Sequence, residues 1–147
     1  PPQQAEVLGM EPGTPAIRAC RVRYYKDHPY CYIINTLPLE IGEKLSEADW
    51  ESGSILQHLQ AEHEVQLGDA DEYVRATVAD ANLARWLGVR IGAPLLQVDY
   101  LIRDIAGNPV QTPIIFYGSD IHAFTLRLTC SHAGPGGAEG WSLRGDE

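Results

Sequence analysis

The chain has 147 residues, 20 acidic against 11 basic side chains, a formal charge of -9 and a hydrophobic share of 44%. A chain of this length forms one domain and buries about 68–70% of its unfolded surface, which excludes disorder as its main state. The acidic balance repels phosphate backbones and the basic residues do not cluster in sequence, which argues against direct nucleic-acid binding by this segment.

No apolar run approaches the eighteen or so residues of a membrane helix, and no secretory signal opens the chain, so a cytoplasmic location is expected. The start at Pro1 suggests a processed or truncated product.

In chain order, Ala5 to Gly9 reads as a short amphipathic helix stopped by glycine in the left-handed cap position, with a turn at Gly13. A hairpin follows: a strand from Ala16 to Tyr25, a turn through Lys26, Asp27, His28 and Pro29, and a return from Tyr30 to Leu37. Leu39 to His63 is an acidic, helix-prone connector. Ser46 with Glu47 and Asp49 marks one helix start, and Ser54 after Gly53 marks another.

Tyr73 to Ala79 carries the β-branched residues of a strand, and Asp80 caps the next helix. A second hairpin runs from Leu95 to Asp104, turns near Gly107, Asn108 and Pro109, and returns along Val110 to Tyr117. Phe124 to Leu128 alternates as a closing strand. From Ser131 to Glu147 the composition turns to Gly, Ala and Ser, which reads as a flexible tail with Trp141 as its anchor.

Slid against itself by 79 positions, the chain matches. Ala5, Leu8, Gly9, Gly13 and Pro15 align with Ala84, Leu87, Gly88, Gly92 and Pro94, five identities in eleven positions. The same hairpin follows each copy, so duplication is the better explanation and two helix-plus-hairpin halves are expected. The second copy has a strand and a cap before its helix, whereas the first begins at the chain's own start. A polypeptide that continues upstream accounts for the difference.

Cys20, Cys31 and Cys130 are too few for a disulfide scaffold. With Asp27 and His28 as the turn, Cys20 faces Asn35 and Cys31 faces Tyr24, which separates the sulfurs by roughly 13 Å along the sheet. All three are read as reduced thiols.

The same alternation places Arg21, Arg23 and Tyr25 on one face opposite Ile34, Tyr32 and Tyr30. Two guanidinium groups among tyrosines suit a pocket wall, because planar donors grip carboxylate or phosphate. The plainer alternative is a solvated face with arginines lying over tyrosines. Repeat symmetry favours the pocket, since Arg21 and Arg23 align with Tyr100 and Ile102, which look inward-facing.

Ser54 opens a helix whose free amides suit an anionic or hydroxyl group, although most such serines only cap. Gln111 and Tyr117 lie six residues apart and share a face. Tyr73, Arg75 and Thr77 share another, and Arg75 either charges a pocket or pairs with carboxylates.

No metal site is expected. His58 and His63 stand five apart, so they do not share a helix face, and no Cys-x-x-Cys accompanies the histidines. No nucleophile elbow, base or orienting carboxylate marks an enzyme, and Gly134, Gly136 and Gly137 lack the strand and helix of a phosphate loop. No catalytic residue and no cofactor are assigned.

Several landmarks together resemble the UTRA effector-binding domain of HutC-type regulators in the GntR family. They are the repeated A-x-x-L-G with G-x-P, the turns ending Asp27-His28-Pro29 and Gly107-Asn108-Pro109, the Thr36-Leu37-Pro38 exit, and Tyr117-x-x-Asp120-x-His122-x-Phe124. The resemblance covers Pro1 to about Leu128. It implies a chorismate-lyase-like α/β (α+β) fold, with a mostly antiparallel sheet built from two related halves and flanking helices. It also implies a homodimer, a small-molecule effector, and DNA binding only through an upstream winged-helix domain absent from this chain.

The expected units are an effector-binding domain over 1–130 and a tail over 131–147. The ligand-binding candidates are Arg21, Arg23, Tyr32, Ser54, Arg75, Gln111 and Tyr117. The resemblance implies ligand contacts for the arginines of the first hairpin, for Ser54-Ile55-Leu56, and for the Gln111 and Tyr117 positions. Two departures bear on the ligand: Gln111 stands where the family often has Glu, and Gly118 and Ile121 stand at its usual arginine positions. The runner-up reading, from the shared fold alone, is a chorismate-lyase-like enzyme acting on a small aromatic-type acid. Release of 4-hydroxybenzoate from chorismate would mark that enzyme.

Overall fold

Ten-residue runs of β-formers separated by turn residues become the two hairpins around which the domain is built. The computed structural model describes residues 13–120, 123–131 and 140–143. β1 (Ala16–Tyr25) and β2 (His28–Pro38) form the first hairpin. Three short helices follow: α1 (Leu39–Gly42), α2 (Glu47–Glu51) and α3 (Ile55–Glu62). β3 (Leu67–Val78) leads to α4 (Ala81–Leu87), and β4 (Pro94–Asp104) with β5 (Pro109–Gly118) makes the second hairpin. The five strands are ordered β1-β2-β5-β4-β3, each pair of neighbours antiparallel. The hairpins therefore meet through their returning strands, β2 and β5, as two related halves should.

The repeat is visible in the backbone. Gly13 and Gly92, its equivalent glycines, have φ of +94° and +81°, a region closed to most side chains. Gly88 ends α4 in the left-handed cap, and the Asp80 carboxylate accepts from the Leu83 amide at 2.8 Å. The expected helix over Ala5 to Gly9 lies outside the described residues.

The sheet is covered on both faces. Against one face α4 packs Leu83, Ala84 and Leu87 onto Tyr32, Ala79, Ala93 and Leu95. Against the other, α3 sets Ile55 and Leu59 beside Leu37, Leu45 and Val110, with Ile41, Trp50 and Leu56 around them. This second face, carrying Arg21, Arg23, Cys31, Ile33, Asn35, Gln111, Pro113, Ile115 and Tyr117, also carries the cavity described below.

Four expectations need correction. The first turn is Lys26-Asp27, both at positive φ (45° and 66°), not Asp27-His28. This is the two-residue hairpin geometry whose twist matches the strands. A bulge between Arg23 and Tyr24 follows, so Cys20 pairs with Ile34 and Cys31 with Arg23. A slip of one residue exchanges faces. Cys20 and Cys31 thus lie on opposite faces, both free, one exposed and one buried.

β3 begins six residues before the expected Tyr73, through Asp69, Asp71 and Glu72. Strand neighbours absorb these charges: Arg103 pairs with Asp69 and Asp71, and Tyr100 donates to Glu72 at 2.8 Å.

Phe124 to Leu128 is not a strand. Phe124, Leu126 and Leu128 alternate, but all three are exposed and 123–127 has no ladder among the described residues, because alternation without a neighbouring strand satisfies no backbone group. Pairing instead begins at Leu128, where β6 (Leu128–Ser131) meets β7 (Gly140–Leu143) with Cys130 opposite Trp141. β7 lies inside the stretch whose composition suggested a tail, too short for its pattern to show against the glycines.

Candidate ligand-binding site

A cavity of about 200 Å³ opens between the second face of the sheet and the start of α3. Its floor comes from three strands by simple alternation: Cys31, Ile33 and Asn35 of β2, Gln111, Pro113, Ile115 and Tyr117 of β5, and Arg21 with Arg23 of β1. Its rim comes from Ser54, Ile55 and Leu56. Five of the seven sequence candidates, Arg21, Arg23, Ser54, Gln111 and Tyr117, are brought together here.

Tyr32 and Arg75 are not. Tyr32 sits on the opposite face, 7% exposed in the α4 cluster, with its ring stacked on Trp86 at 6.4 Å. The one-residue register change puts it there. Arg75 pairs across to Gln97, on the face away from the cavity, and its guanidinium binds the Asp99 carboxylate at 2.7 Å.

The two arginines do structural work on one side and leave donors on the other. Arg21 Nη1 donates to the carbonyls of Trp50 (3.1 Å) and Gly53 (3.2 Å), and Arg23 Nη2 donates to Gly53 (2.9 Å). They thereby hold the α2–α3 connection against the sheet. The same connection is braced by Ser52, whose Oγ lies 2.6 Å from His58 Nε2, and by a capping box in which Ser46 and Asp49 satisfy each other's amides.

Neither Arg21 nor Arg23 has a carboxylate within ion-pair range among the described residues. Arg21 Nε is buried without a partner. Burial, and then the neighbouring Arg23 charge, depress the Arg21 pKa. Two adjacent cations in partial burial with no counter-ion favour an anion between them.

The rest of the described lining contains no Asp, Glu, Lys or His. Burial raises the Cys31 pKa, with Arg23 partly offsetting it, so the group is a thiol at neutral pH. Burial also raises Tyr117, reinforced by Cys31. Gln111 Nε2 donates to Asn35 Oδ1 at 2.5 Å, and both residues are almost fully buried. Asn35 Nδ2 and Gln111 Oε1 have no partner. Ser54 begins α3 without a side-chain capping bond, which leaves its hydroxyl at the rim.

Sequence reasoning missed Asn35. Its signal was available: one amide inside the apolar run Tyr32 to Leu37 is the kind of buried polar group that needs an explanation. Asp49, Glu62 and His63 each bring one ligand atom within 4.8 Å of the others, a proximity invisible to single-helix spacing because Asp49 comes from α2. They lie outside the cavity, and Asp49 is already engaged by Ser46.

An antiparallel sheet of two related hairpins, helices on both faces and an arginine-walled cavity define the class: a chorismate-lyase-like α/β domain with a recessed polar site. The UTRA domain model matches residues 1–123, and the chain belongs to that family.

Solved structures agree on the fold. A GntR-family transcriptional regulator from Enterococcus faecalis superposes with a TM-score of 0.79 at 20% identity, over 86% of this chain and 91% of that one. The ligand-binding domain of a protein assigned as a GntR-family regulator from Bordetella bronchiseptica gives 0.78 at 24% identity, over 88% and 83%. A GntR-family regulator from Bacillus cereus gives 0.76 at 18%, over 85% and 87%. No curated protein sequence matches significantly. No helix among the described residues is long and apolar enough to cross a membrane.

Proposed function

We propose that this chain is the effector-binding and dimerisation domain of a HutC-type GntR-family transcriptional regulator. It acts in the cytoplasm and takes a small anionic metabolite, whose occupancy changes DNA binding by a winged-helix domain upstream. The observation that carries the ligand is Arg21 and Arg23 facing a cavity without a carboxylate partner among the described residues, in a chain with net charge -9. Membership of the UTRA family, and structural likeness to the ligand-binding domain from Bordetella bronchiseptica, support the regulatory role. An effector changes DNA affinity only by binding one arrangement of the dimer better than another.

The Trp50–Gly53 segment is the element through which occupancy reaches the outside, because the arginines that would grip the ligand already grip its carbonyls. A panel of carboxylates, phosphates, sugars and amines tests the ligand by thermal shift. A matching anion at a hundred times its Kd stabilises the folded state by about 2.7 kcal/mol, which is roughly a 10 °C rise in Tm for a domain of this size. A panel with no anion-dependent rise contradicts the assignment.

The dimer has its own test. Phe124, Leu126 and Leu128 leave 42%, 59% and 51% of their surfaces exposed, an apolar row suited to a partner. Sedimentation velocity is expected to give twice the monomer mass of 16.2 kDa. A monomer at tens of micromolar would remove dimerisation from the proposal.

A further inference from the structure

We infer that the effector carries, besides its anionic group, an uncharged group that both donates and accepts a hydrogen bond, a hydroxyl or a primary carboxamide, seated on Asn35 and Gln111. The inference rests on the proposal that an anionic small molecule fills this cavity, and it adds what the other end of that molecule must be.

The argument is one of hydrogen-bond capacity. Asn35 and Gln111 are 1% and 3% exposed, on neighbouring strands of the cavity floor, and a single bond joins them. That bond uses Gln111 Nε2 and Asn35 Oδ1, and leaves Asn35 Nδ2 as an unmet donor and Gln111 Oε1 as an unmet acceptor. Rotating both amides by half a turn exchanges the roles and still leaves one donor and one acceptor. The pair therefore asks the same question of a ligand in either orientation.

Charged groups answer it badly. A carboxylate accepts from the donor but faces the acceptor with another acceptor. An ammonium donates to the acceptor but faces the donor with another donor, and no carboxylate among the described residues lines the cavity to balance its charge. A hydroxyl meets both atoms through one oxygen, and a primary carboxamide meets them as a matched pair. A methyl group meets neither and leaves two buried polar atoms orphaned. Gln111 is on this reading the specificity-determining residue: a carboxylate at that position would invert the choice towards ammonium.

Linear carboxylates of three to six carbons test this, each length with its far end as methyl, hydroxyl, carboxamide, ammonium or carboxylate, titrated calorimetrically into the full chain. At the best-fitting length, the hydroxyl or carboxamide compound is expected to bind about tenfold more tightly than the methyl, ammonium and dicarboxylate compounds. In Gln111→Met that preference is expected to shrink, because the Asn35 amide alone is left to meet the hydroxyl or carboxamide. In Gln111→Glu it is expected to pass to the ammonium compound.

If all five ends bind equally, the anion site stands and the inference about Asn35 and Gln111 is overturned. Tightest binding by the ammonium or the dicarboxylate compound in the unsubstituted chain overturns it as well. If no carboxylate of any kind binds, the anionic-effector proposal falls first and takes this inference with it. Circular dichroism of each variant identifies misfolding, and the unsubstituted series decides the matter without the variants.

Discussion

Leu59→Ala is expected to lower the stability of the domain by about 2–5 kcal/mol, the range for emptying a fully buried leucine site that collapses only in part. Leu59 is 0% exposed and sits one helical turn after Ile55, in the cluster with Leu37, Leu45 and Val110 that fixes α3 to the sheet. A domain of this kind has a total stability of roughly 5–15 kcal/mol, so the loss is a large fraction of the whole.

The consequence also reaches the cavity. Ser54, Ile55 and Leu56 form its rim and belong to the start of the same helix, so loosening the Leu59 anchor loosens the rim. Urea unfolding measures the first effect and ligand titration the second. A loss below about 1 kcal/mol would mean that α3 is not held by this cluster, and the positioning argument for Ser54 would fail with it.

What sequence reasoning could and could not place follows from the range of each interaction. Arg21 with Arg23, and Gln111 with Tyr117, share faces because both members of each pair lie on one strand at even spacing, which backbone pleating alone guarantees. The helix starts at Ser46, Ser54 and Asp80 rest on neighbours within three residues, and all three helices begin there. The cross-strand partners of Arg21 and Arg23 rest instead on where the first turn closes and on whether a bulge follows it. Closing the turn at Lys26-Asp27 rather than Asp27-His28 moves the register by two residues and keeps the faces. The bulge between Arg23 and Tyr24 moves it back by one, which took Tyr32 from the cavity to the α4 core and brought Cys31, Ile33 and Asn35 to the arginines.

Arg75 illustrates the longer range. Its face depends on the register of β3 against β4, with a helix between them, and in that register its neighbour is Gln97. The duplication supplied what local patterning lacked. Arg21 and Arg23 align with Tyr100 and Ile102, and all four lie on one face of the sheet.

The charge of the cavity leads to the second large effect. Replacing both arginines, Arg21→Met with Arg23→Met, is expected to weaken binding of an anionic ligand by at least a hundredfold. Each charge-assisted hydrogen bond is worth about 1.5–3 kcal/mol, and every 1.4 kcal/mol is roughly tenfold in Kd. Methionine keeps much of the side-chain length, so the loss reports on charge and donors more than on packing.

The substitution also releases the carbonyls of Trp50 and Gly53, a structural effect that would weaken any ligand. Salt and a neutral analogue separate the two causes. Coulomb attraction is screened within about 10 Å at 0.1 M salt, so binding to the unsubstituted chain should weaken as salt rises, whereas binding to the double variant should be nearly flat. A neutral analogue lacking the anionic group should lose little in the double variant if charge is the cause, and as much as the anion if the released segment is.

Arg23→Lys adds a third reading. It keeps the charge but cannot span the Gly53 carbonyl and a ligand oxygen with one planar fork, so an intermediate loss is expected. Equal losses for the anion and the neutral analogue, with no change in salt dependence, would make Arg21 and Arg23 fasteners of the α2–α3 segment and leave the cavity without its electrostatic reason to bind an anion.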